Sequence, residues 1–278
     1  MKRTMMAALA ACSILALAGC KQSGGANDQN AAATAGVASI DGTWKADLST
    51  VQMDSKPDQL LLKDGKFSCS TCTPPLALDA DGAFHPVTGR SYADSIAVKV
   101  DDDHSITRTD KKDGRVTSED KYSVSSDGNT LTIDFTDSST PNVAPVKGSF
   151  VETRAGPAPA GAHAVSGSWK PSKYNNVSDE ALTVTYKLDG DTLHMTTPAG
   201  QSFDAKLDGS DAPVKGDIGG TTVSVQKGSD GAFTITEKRA GKVQSVATLS
   251  PGSDGKLSVS SENKQNGSTM KYVADKQS

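Results

Sequence analysis

Polar and apolar residues alternate along most of the chain after residue 40, in short runs separated by Asp-Gly turns. Residues 95–100 form one such run and residues 131–135 another. A period of two with many β-branched residues is typical of strands that bury one face, and Asp-Gly pairs between such runs favour hairpins. No convincing run of apolar residues has helical spacing. The pattern therefore predicts an all-β protein built as an antiparallel meander.

The pattern occurs twice. Gly42-Thr43-Trp44-Lys45 opens the first copy and Gly167-Ser168-Trp169-Lys170 opens the second, and these two stretches contain the only tryptophans. Turn and apolar positions farther along are matched 127 residues later, for example Asp81-Gly82 by Asp208-Gly209. A constant offset over many positions indicates a duplicated domain.

The two copies set the predicted domain boundaries. Residues 39–153 form the first domain and residues 164–278 the second. Residues 154–163 between them are mostly Ala, Pro and Gly, which favours a semi-extended linker. Residues 20–38 have no apolar periodicity and predict a flexible tether in front of the first domain.

Residues 1–19 are predicted to be a signal peptide that does not belong to the fold. Lys2 and Arg3 precede an apolar stretch that runs from Met5 to Leu17. That charge and length are typical of an export signal, and the stretch is shorter than the roughly 20 apolar residues of a membrane span.

The end of this segment, Leu17-Ala18-Gly19-Cys20, resembles the lipobox of bacterial lipoproteins. The resemblance implies cleavage before Cys20 and lipidation of that residue, so the membrane is the expected partner through the lipid. In enterobacterial lipoproteins a residue other than Asp after the cysteine implies sorting to the outer membrane, and Lys21 stands there. We therefore expect a lipid-anchored protein of the bacterial cell envelope, at the outer membrane and facing the periplasm. An ordinary secretory signal is the alternative.

Gly42 with Trp44, and Gly167 with Trp169, resemble the Gly-x-Trp signature of lipocalins, in which the Trp closes one end of an eight-stranded barrel. In that family an Arg near the last strand packs over the Trp, so the resemblance implies this role for Arg154 in the first domain. Both copies also resemble a family of uncharacterised bacterial secreted proteins described only as lipocalin-like. The resemblance implies two tandem antiparallel up-and-down β-barrels and adds no activity. A core Trp in an unrelated β-sandwich is the alternative.

Cys69 and Cys72 are the only cysteines after Cys20. An exported protein favours a local disulfide between them. A redox-active pair is the alternative, but Pro74 and Pro75 follow and make the helix that activates such a thiol improbable. A metal site would need further ligands.

Charge and motifs exclude several function classes. Without residues 1–19 the chain has 27 basic and 33 acidic residues, a net charge of about −6, so a nucleic acid is not an expected partner. The four histidines lack metal-ligand spacing, and no nucleophile elbow or phosphate-binding loop is present. The sequence therefore predicts no catalytic residue, no metal and no cofactor.

Three function hypotheses remain from the sequence. In the first, the barrels bind a small apolar or amphipathic ligand, because eight-stranded barrels can enclose one small molecule. In the second, the barrels are filled and the protein is a structural or protein-interaction module of the envelope. Thiol-redox or metal chemistry at Cys69 and Cys72 is a third and weaker hypothesis.

Overall fold

The computed structural model describes residues 38–278. The predicted signal peptide, the lipidation site at Cys20 and nearly all of the predicted tether lie outside the described residues. Within 38–278 the chain is almost entirely β, and its helical elements are the 3₁₀ turn Leu48–Thr50 and the four-residue helix Asp179–Leu182. The all-β prediction is confirmed.

The strands follow one another with short connections. In chain order they are β1 (Gly42–Ala46), β2 (Gln52–Asp54), β3 (Asp58–Lys63), β4 (Lys66–Cys69), β5 (Leu76–Asp79), β6 (His85–Pro86), β7 (Ser95–Asp102), β8 (Ser105–Lys112), β9 (Arg115–Val124), β10 (Thr130–Asp137), β11 (Val146–Arg154), β12 (Gly167–Asn175), β13 (Thr183–Asp189), β14 (Thr192–Thr196), β15 (Ser202–Lys206), β16 (Asp208–Pro213), β17 (Thr221–Lys227), β18 (Phe233–Arg239), β19 (Lys242–Pro251), β20 (Lys256–Asn263) and β21 (Thr269–Lys276).

Two nearly closed antiparallel sheets contain these strands. The first barrel has the order β5-β4-β3-β12-β11-β10-β9-β8-β7-β6, and the second has β15-β14-β13-β1-β21-β20-β19-β18-β17-β16, with β2 added beside β21. In each barrel the two strands at the ends of the order follow each other in the chain. The predicted class of two tandem up-and-down antiparallel barrels is confirmed, with ten strands in each order instead of about eight.

The Trp strands are exchanged between the repeats. β1, which opens the first repeat, lies between β13 and β21 of the second barrel. β12, which opens the second repeat, lies between β3 and β11 of the first barrel. The first barrel is therefore continuous from residue 58 to residue 175, whereas the second combines residues 183–276 with the distant strand β1. These limits differ from the domain boundaries predicted from the repeats.

The segment that joins the repeats packs on the first barrel. The amide of Ala155 donates to the carbonyl of Ser168, and the amide of His163 donates to the carbonyl of Leu62. His163 Nε2 also lies 2.6 Å from the carbonyl oxygen of Asp102. Residues 154–163 thus connect β11 to its neighbour β12 within one barrel, and the chain crosses between the barrels elsewhere, at residues 55–57 and 176–182.

Each barrel has its own hydrophobic core. Phe67, Phe150 and Trp169 are the large buried side chains of the first core, and Trp44, Phe203 and Phe233 are those of the second. Burial of such side chains on the inward face of each sheet is the main favourable contribution to its stability. Each core therefore contains the tryptophan of the other repeat.

Candidate functional site

Each Gly-x-Trp strand places an indole in a barrel core. Trp44 is 1% exposed and Trp169 is fully buried. The ring N–H donates to the carbonyl four residues earlier, from Trp44 to Ile40 at 2.8 Å and from Trp169 to Val165 at 2.9 Å. A buried indole N–H needs such an acceptor, and both motifs provide the carbonyl oxygen four residues before the Trp.

A cation covers each indole. The guanidinium carbon of Arg154 lies 4.0 Å from the centre of the Trp169 ring, and Lys276 Nζ lies 5.4 Å from the centre of the Trp44 ring. The lipocalin resemblance predicts that Arg154 covers Trp44, the tryptophan of its own repeat. It covers Trp169 instead, because β12 pairs with β11 in the first barrel. Lys276 has the corresponding place in the second barrel.

Arg154 also fastens the backbone around the indole. Its guanidinium donates to three carbonyl oxygens, those of Gly128, Ala164 and Ser166. Burial lowers the pKa of Arg154, but the group remains charged at neutral pH because an arginine begins so high. The signature residues therefore hold one end of a barrel together.

Glycine is required in the Gly-x-Trp motif for two reasons. Gly42 has φ 132° and Gly167 has φ 135°, a region that residues with a Cβ rarely adopt. A Cβ would also collide with the side chain that covers the indole, Lys276 at Gly42 and Arg154 at Gly167. The glycine makes room for the cation.

The first barrel contains a cavity of about 120 Å³. It lies beyond Trp169 along β12, where Pro171 and Tyr174 line it. One part of its wall is apolar and aromatic, formed by Leu60, Tyr122, Ile133, Phe135, Phe150 and Tyr174. A dry apolar cavity of about 150 Å³ is known to hold benzene, so this space suits a molecule about the size of one ring.

Charged side chains form the other part of the wall. Arg108, Asp120 and Glu152 line the cavity, and Arg108 is 6% exposed while Glu152 is fully buried. Nε and Nη2 of Arg108 each donate to a carboxylate oxygen of Asp110 at 2.8 Å. This bidentate pair fixes the guanidinium in one orientation.

Burial and neighbouring charges shift the ionisation of this group of side chains. Burial disfavours the charged form of Arg108, but attraction to Asp110, with further contributions from Tyr122 and Asp120, outweighs burial and raises the pKa of Arg108 above its usual range. Burial also raises the pKa of Tyr122. Arg108 is therefore a permanent cation and Tyr122 a neutral phenol, so the cavity combines fixed charge, hydroxyl groups and aromatic surface.

Both repeats contribute to this cavity. Pro171 and Tyr174 come from β12, and Asn266 and Ser268 come from the loop between β20 and β21. The remainder of the lining belongs to the first repeat. The strand exchange is therefore what assembles the site.

The cysteine pair forms part of the same wall. Cys69 and Cys72 are joined by a disulfide with their Cα atoms 5.3 Å apart, and both line the cavity. Cys69 is 3% exposed. The predicted local disulfide is present, and it lies at the end of β4, where it holds the following loop against the barrel.

The second barrel has a smaller interior space of about 60 Å³. Glu237 borders it and is 8% exposed, and burial raises the pKa of its carboxyl to about 7, although the Ser245 hydroxyl donates to it at 2.9 Å. Glu237 lies 127 residues after Asp110. The two repeats thus keep an acid at this inward position, which Arg108 binds through two hydrogen bonds in the first and the Ser245 hydroxyl binds in the second.

Tyr92 of the first repeat packs against the second barrel. It precedes β7 in the first repeat, and its hydroxyl donates to Asp217 at 2.6 Å. Arg239 covers the ring with its guanidinium carbon 4.8 Å from the centre. A Cβ on Gly219 would meet the Tyr92 ring at 2.7 Å. Gly219 is also the counterpart of Tyr92 at the 127-residue offset, so the contact has no mirror image in the first barrel.

The charged inward residues were missed by the sequence analysis, although a signal was present. Ile106, Arg108 and Asp110 occupy alternate positions of β8, and Asp120 and Tyr122 do so in β9. A charge on the same parity as buried apolar residues points into the barrel. The alternation in β8 and β9 therefore predicts that Arg108, Asp110 and Asp120 face the interior of the barrel.

The described residues carry no sign of two other site types. Within residues 38–278, no group of three or more His, Cys, Asp or Glu side chains is arranged to hold a metal ion. No helix in that range is long and apolar enough to cross a membrane. His85 and His194 each contact one aspartate instead, Asp81 at 2.8 Å and Asp204 at 2.7 Å.

Comparison with known proteins assigns no family. No protein-family model matches the chain, and no curated protein matches it significantly. The lipocalin-like resemblance therefore stays a prediction about family.

Proposed function

We propose that this protein is a non-enzymatic binding module whose first barrel holds a small amphipathic molecule about the size of one ring. The observation that carries the proposal is the mixed wall of the cavity of about 120 Å³. Ligand sites typically combine an apolar lining with a few fixed polar groups, which is the composition here.

The charges favour a particular orientation of the ligand. Phe135 and Phe150 offer aromatic surface to an apolar body, while the carboxyl groups of Asp120 and Glu152 offer oxygens that accept hydrogen bonds from a head group. Arg108 is held by Asp110 and supplies a fixed positive charge beside these carboxyl groups. A ring with an amine or hydroxyl substituent fits this arrangement best.

A substitution that fills the cavity with a larger side chain tests the proposal. Ile133 lines the cavity, and Ile133→Phe would occupy part of it. Val259 is the corresponding buried residue of the second barrel, so Val259→Phe is the matched control. Native mass spectrometry of the exported protein, compared with the denatured protein, reports any small molecule carried.

The proposal predicts extra mass on the unaltered protein and on Val259→Phe, and its loss from Ile133→Phe. Titration of the emptied protein with benzylamine, benzyl alcohol and benzoate then ranks the head groups, with the amine expected to bind tightest. Saturable binding that Ile133→Phe leaves unchanged would refute the first barrel as the site, and no binding by any of the three would refute the proposal.

A structural or protein-interaction role is the second candidate. The small interior space of the second barrel and the contact of Tyr92 with Asp217 support it, because the space leaves little room for a ligand and the contact joins this barrel to the first repeat. Capture of a protein partner by the ligand-free protein, unaffected by Ile133→Phe, would favour this role over ligand binding.

We also propose that the protein is anchored to the bacterial envelope through a lipid on Cys20. The support is the sequence of residues 1–20 alone. Mass spectrometry of the N-terminal peptide would identify the lipid, and Cys20→Ser should release the protein from the membrane fraction. A wild-type protein that is recovered without lipid would contradict the anchor.

A further inference from the structure

A second concave site lies between the two barrels and has a different chemistry. It is a cleft of about 280 Å³ between residues 89–93, which precede β7, and two loops of the second repeat. Those loops are the turn between β18 and β19 and the turn between β20 and β21. We call this space the arginine cleft, and its polar lining includes Arg90, Arg108, Asp110, Arg239, Gln244 and Asn263.

The charge of the arginine cleft is opposite to that of the protein. The chain has a net charge of −4 and only six arginines, yet Arg90, Arg108 and Arg239 all line this one cleft. Asp110 is the only carboxylate among the lining residues. Since exposed basic residues elsewhere are mostly lysines, the concentration of guanidinium groups here points to a specific use of their planar geometry.

Each guanidinium is held in place by its own contacts. Arg90 Nη2 donates to the carbonyl oxygens of Pro74 at 2.5 Å and Pro75 at 3.2 Å. Arg239 Nε donates to the Thr221 hydroxyl at 2.9 Å, and its guanidinium lies over the Tyr92 ring. A guanidinium has five N–H donors, so these contacts orient the groups and leave donors for a ligand.

The positive groups also repel one another. Burial and the nearby charge of Arg108 together lower the pKa of Arg90. An anion in the cleft relieves this repulsion, and little side-chain entropy is lost on binding because the guanidinium groups are already oriented. Amide groups on the opposite wall, at Gln244 and Asn263, can hydrogen-bond the uncharged part of a polar ligand.

We propose that the arginine cleft binds a small polar oxyanion, a molecule that carries a phosphate or carboxylate group on a hydroxyl-bearing body. Planar guanidinium groups match both oxyanions through paired N–H···O bonds. This site adjoins the cavity of the first barrel, since Arg108 and Asn266 line both spaces, but its ligand differs in charge and polarity from the one proposed there.

Isothermal titration at low ionic strength tests the site on the full exported chain. The probes are inorganic phosphate, glucose 6-phosphate, glucuronate and uncharged glucose. Arg90→Gln and Arg239→Gln each remove one cation from the cleft. Arg115→Gln is the matched control, because Arg115 is exposed and donates to the carbonyls of Ser138 and Ser139 outside the cleft.

The proposal predicts saturable binding of at least one charged probe, no binding of glucose, and at least tenfold weaker binding by each cleft variant with Arg115→Gln unchanged. Tighter binding of glucose 6-phosphate identifies phosphate as the anion, and tighter binding of glucuronate identifies carboxylate. The proposal is overturned if no charged probe binds, or if Arg115→Gln weakens binding as much as the cleft variants do. Hydrogen exchange of residues 89–93 and 239–244 gives a second readout, which should slow on adding the bound probe.

Discussion

Replacement of Trp44 should destabilise the barrel of the other repeat. Trp44 is 1% exposed and lies in β1, which pairs only with strands of the second barrel among those described. A buried indole removes roughly 150–250 Å² from water. At about 25 cal/mol per Å² this burial contributes about 4–6 kcal/mol, close to the roughly 3–5 kcal/mol that Trp→Ala substitutions cost in cores. Trp44→Ala should therefore lower the free energy of unfolding of the second barrel by about 3–5 kcal/mol.

Amide hydrogen exchange with mass spectrometry can assign that loss to one barrel. Since each 1.4 kcal/mol is a factor of ten, slow amides in residues 183–276 should exchange about 140-fold to 3,700-fold faster in Trp44→Ala. Residues 58–175 should keep their protection. Trp169→Ala should give the opposite distribution, with faster exchange in residues 58–175.

A milder substitution at Trp44 provides the same test if Trp44→Ala is too unstable to purify. Trp44→Phe keeps an aromatic ring but loses the N–H bond to Ile40 and part of the buried area, so it should show the same distribution with a smaller increase. Faster exchange confined to residues 58–153 in either Trp44 variant would refute the exchange of strands.

Three further predictions concern the stability of single barrels. Arg154→Met should lower the urea midpoint of the first barrel by an amount equivalent to about 2–4 kcal/mol, because three carbonyl oxygens lose a charged donor, whereas Lys276→Met should cost the second barrel clearly less. Burial gives Glu237 a folded-state pKa of about 7 against an ordinary 4.5, so the folded protein binds this proton more tightly. The contribution of this group to the stability of the second barrel should be greatest below pH 4.5 and fall by up to about 3 kcal/mol as pH rises through 7. Glu237→Gln should remove that fall in melts at pH 5 and pH 8. Replacing Cys69 and Cys72 by serine should cost the first barrel about 2 kcal/mol, the loop-entropy value for so short a ring, with the second barrel unchanged in the same urea titration.

The alternation of apolar residues was sufficient to predict strands, hairpins and two barrels. It could not predict which barrel receives each Trp strand, because Gly42–Lys45 and Gly167–Lys170 are nearly the same sequence. The strands that flank each Trp strand are also equivalent, β3 and β11 in the first barrel and β13 and β21 in the second. The choice depends on longer-range contacts. β2 pairs with β21 and the amide of Asp47 donates to the carbonyl of Val273, so the segment after β1 is held to the second barrel before it crosses to β3.

The polar part of the cavity could be predicted only in part. Arg108 and Asp110 share the parity of Ile106, so their inward direction was readable from the alternation. Glu152 was not readable in this way, because the register shifts between Val151 and Glu152 and both residues are buried. A bulge breaks the alternation from which inward positions are inferred.

A single cross-linking measurement tests the strand exchange that assembles the cavity. Thr43 of β1 faces Thr185 of β13, with their hydroxyl oxygens 2.8 Å apart. In the first barrel Gln59 faces Ser168, the counterpart of Thr43, so Gln59 would face Thr43 if each repeat kept its own Trp strand. Two double-cysteine variants, made with Cys69 and Cys72 changed to serine, distinguish the arrangements on oxidation and peptide mapping of the monomer. The account predicts a disulfide in Thr43→Cys/Thr185→Cys and none in Thr43→Cys/Gln59→Cys, and the reverse result would contradict it.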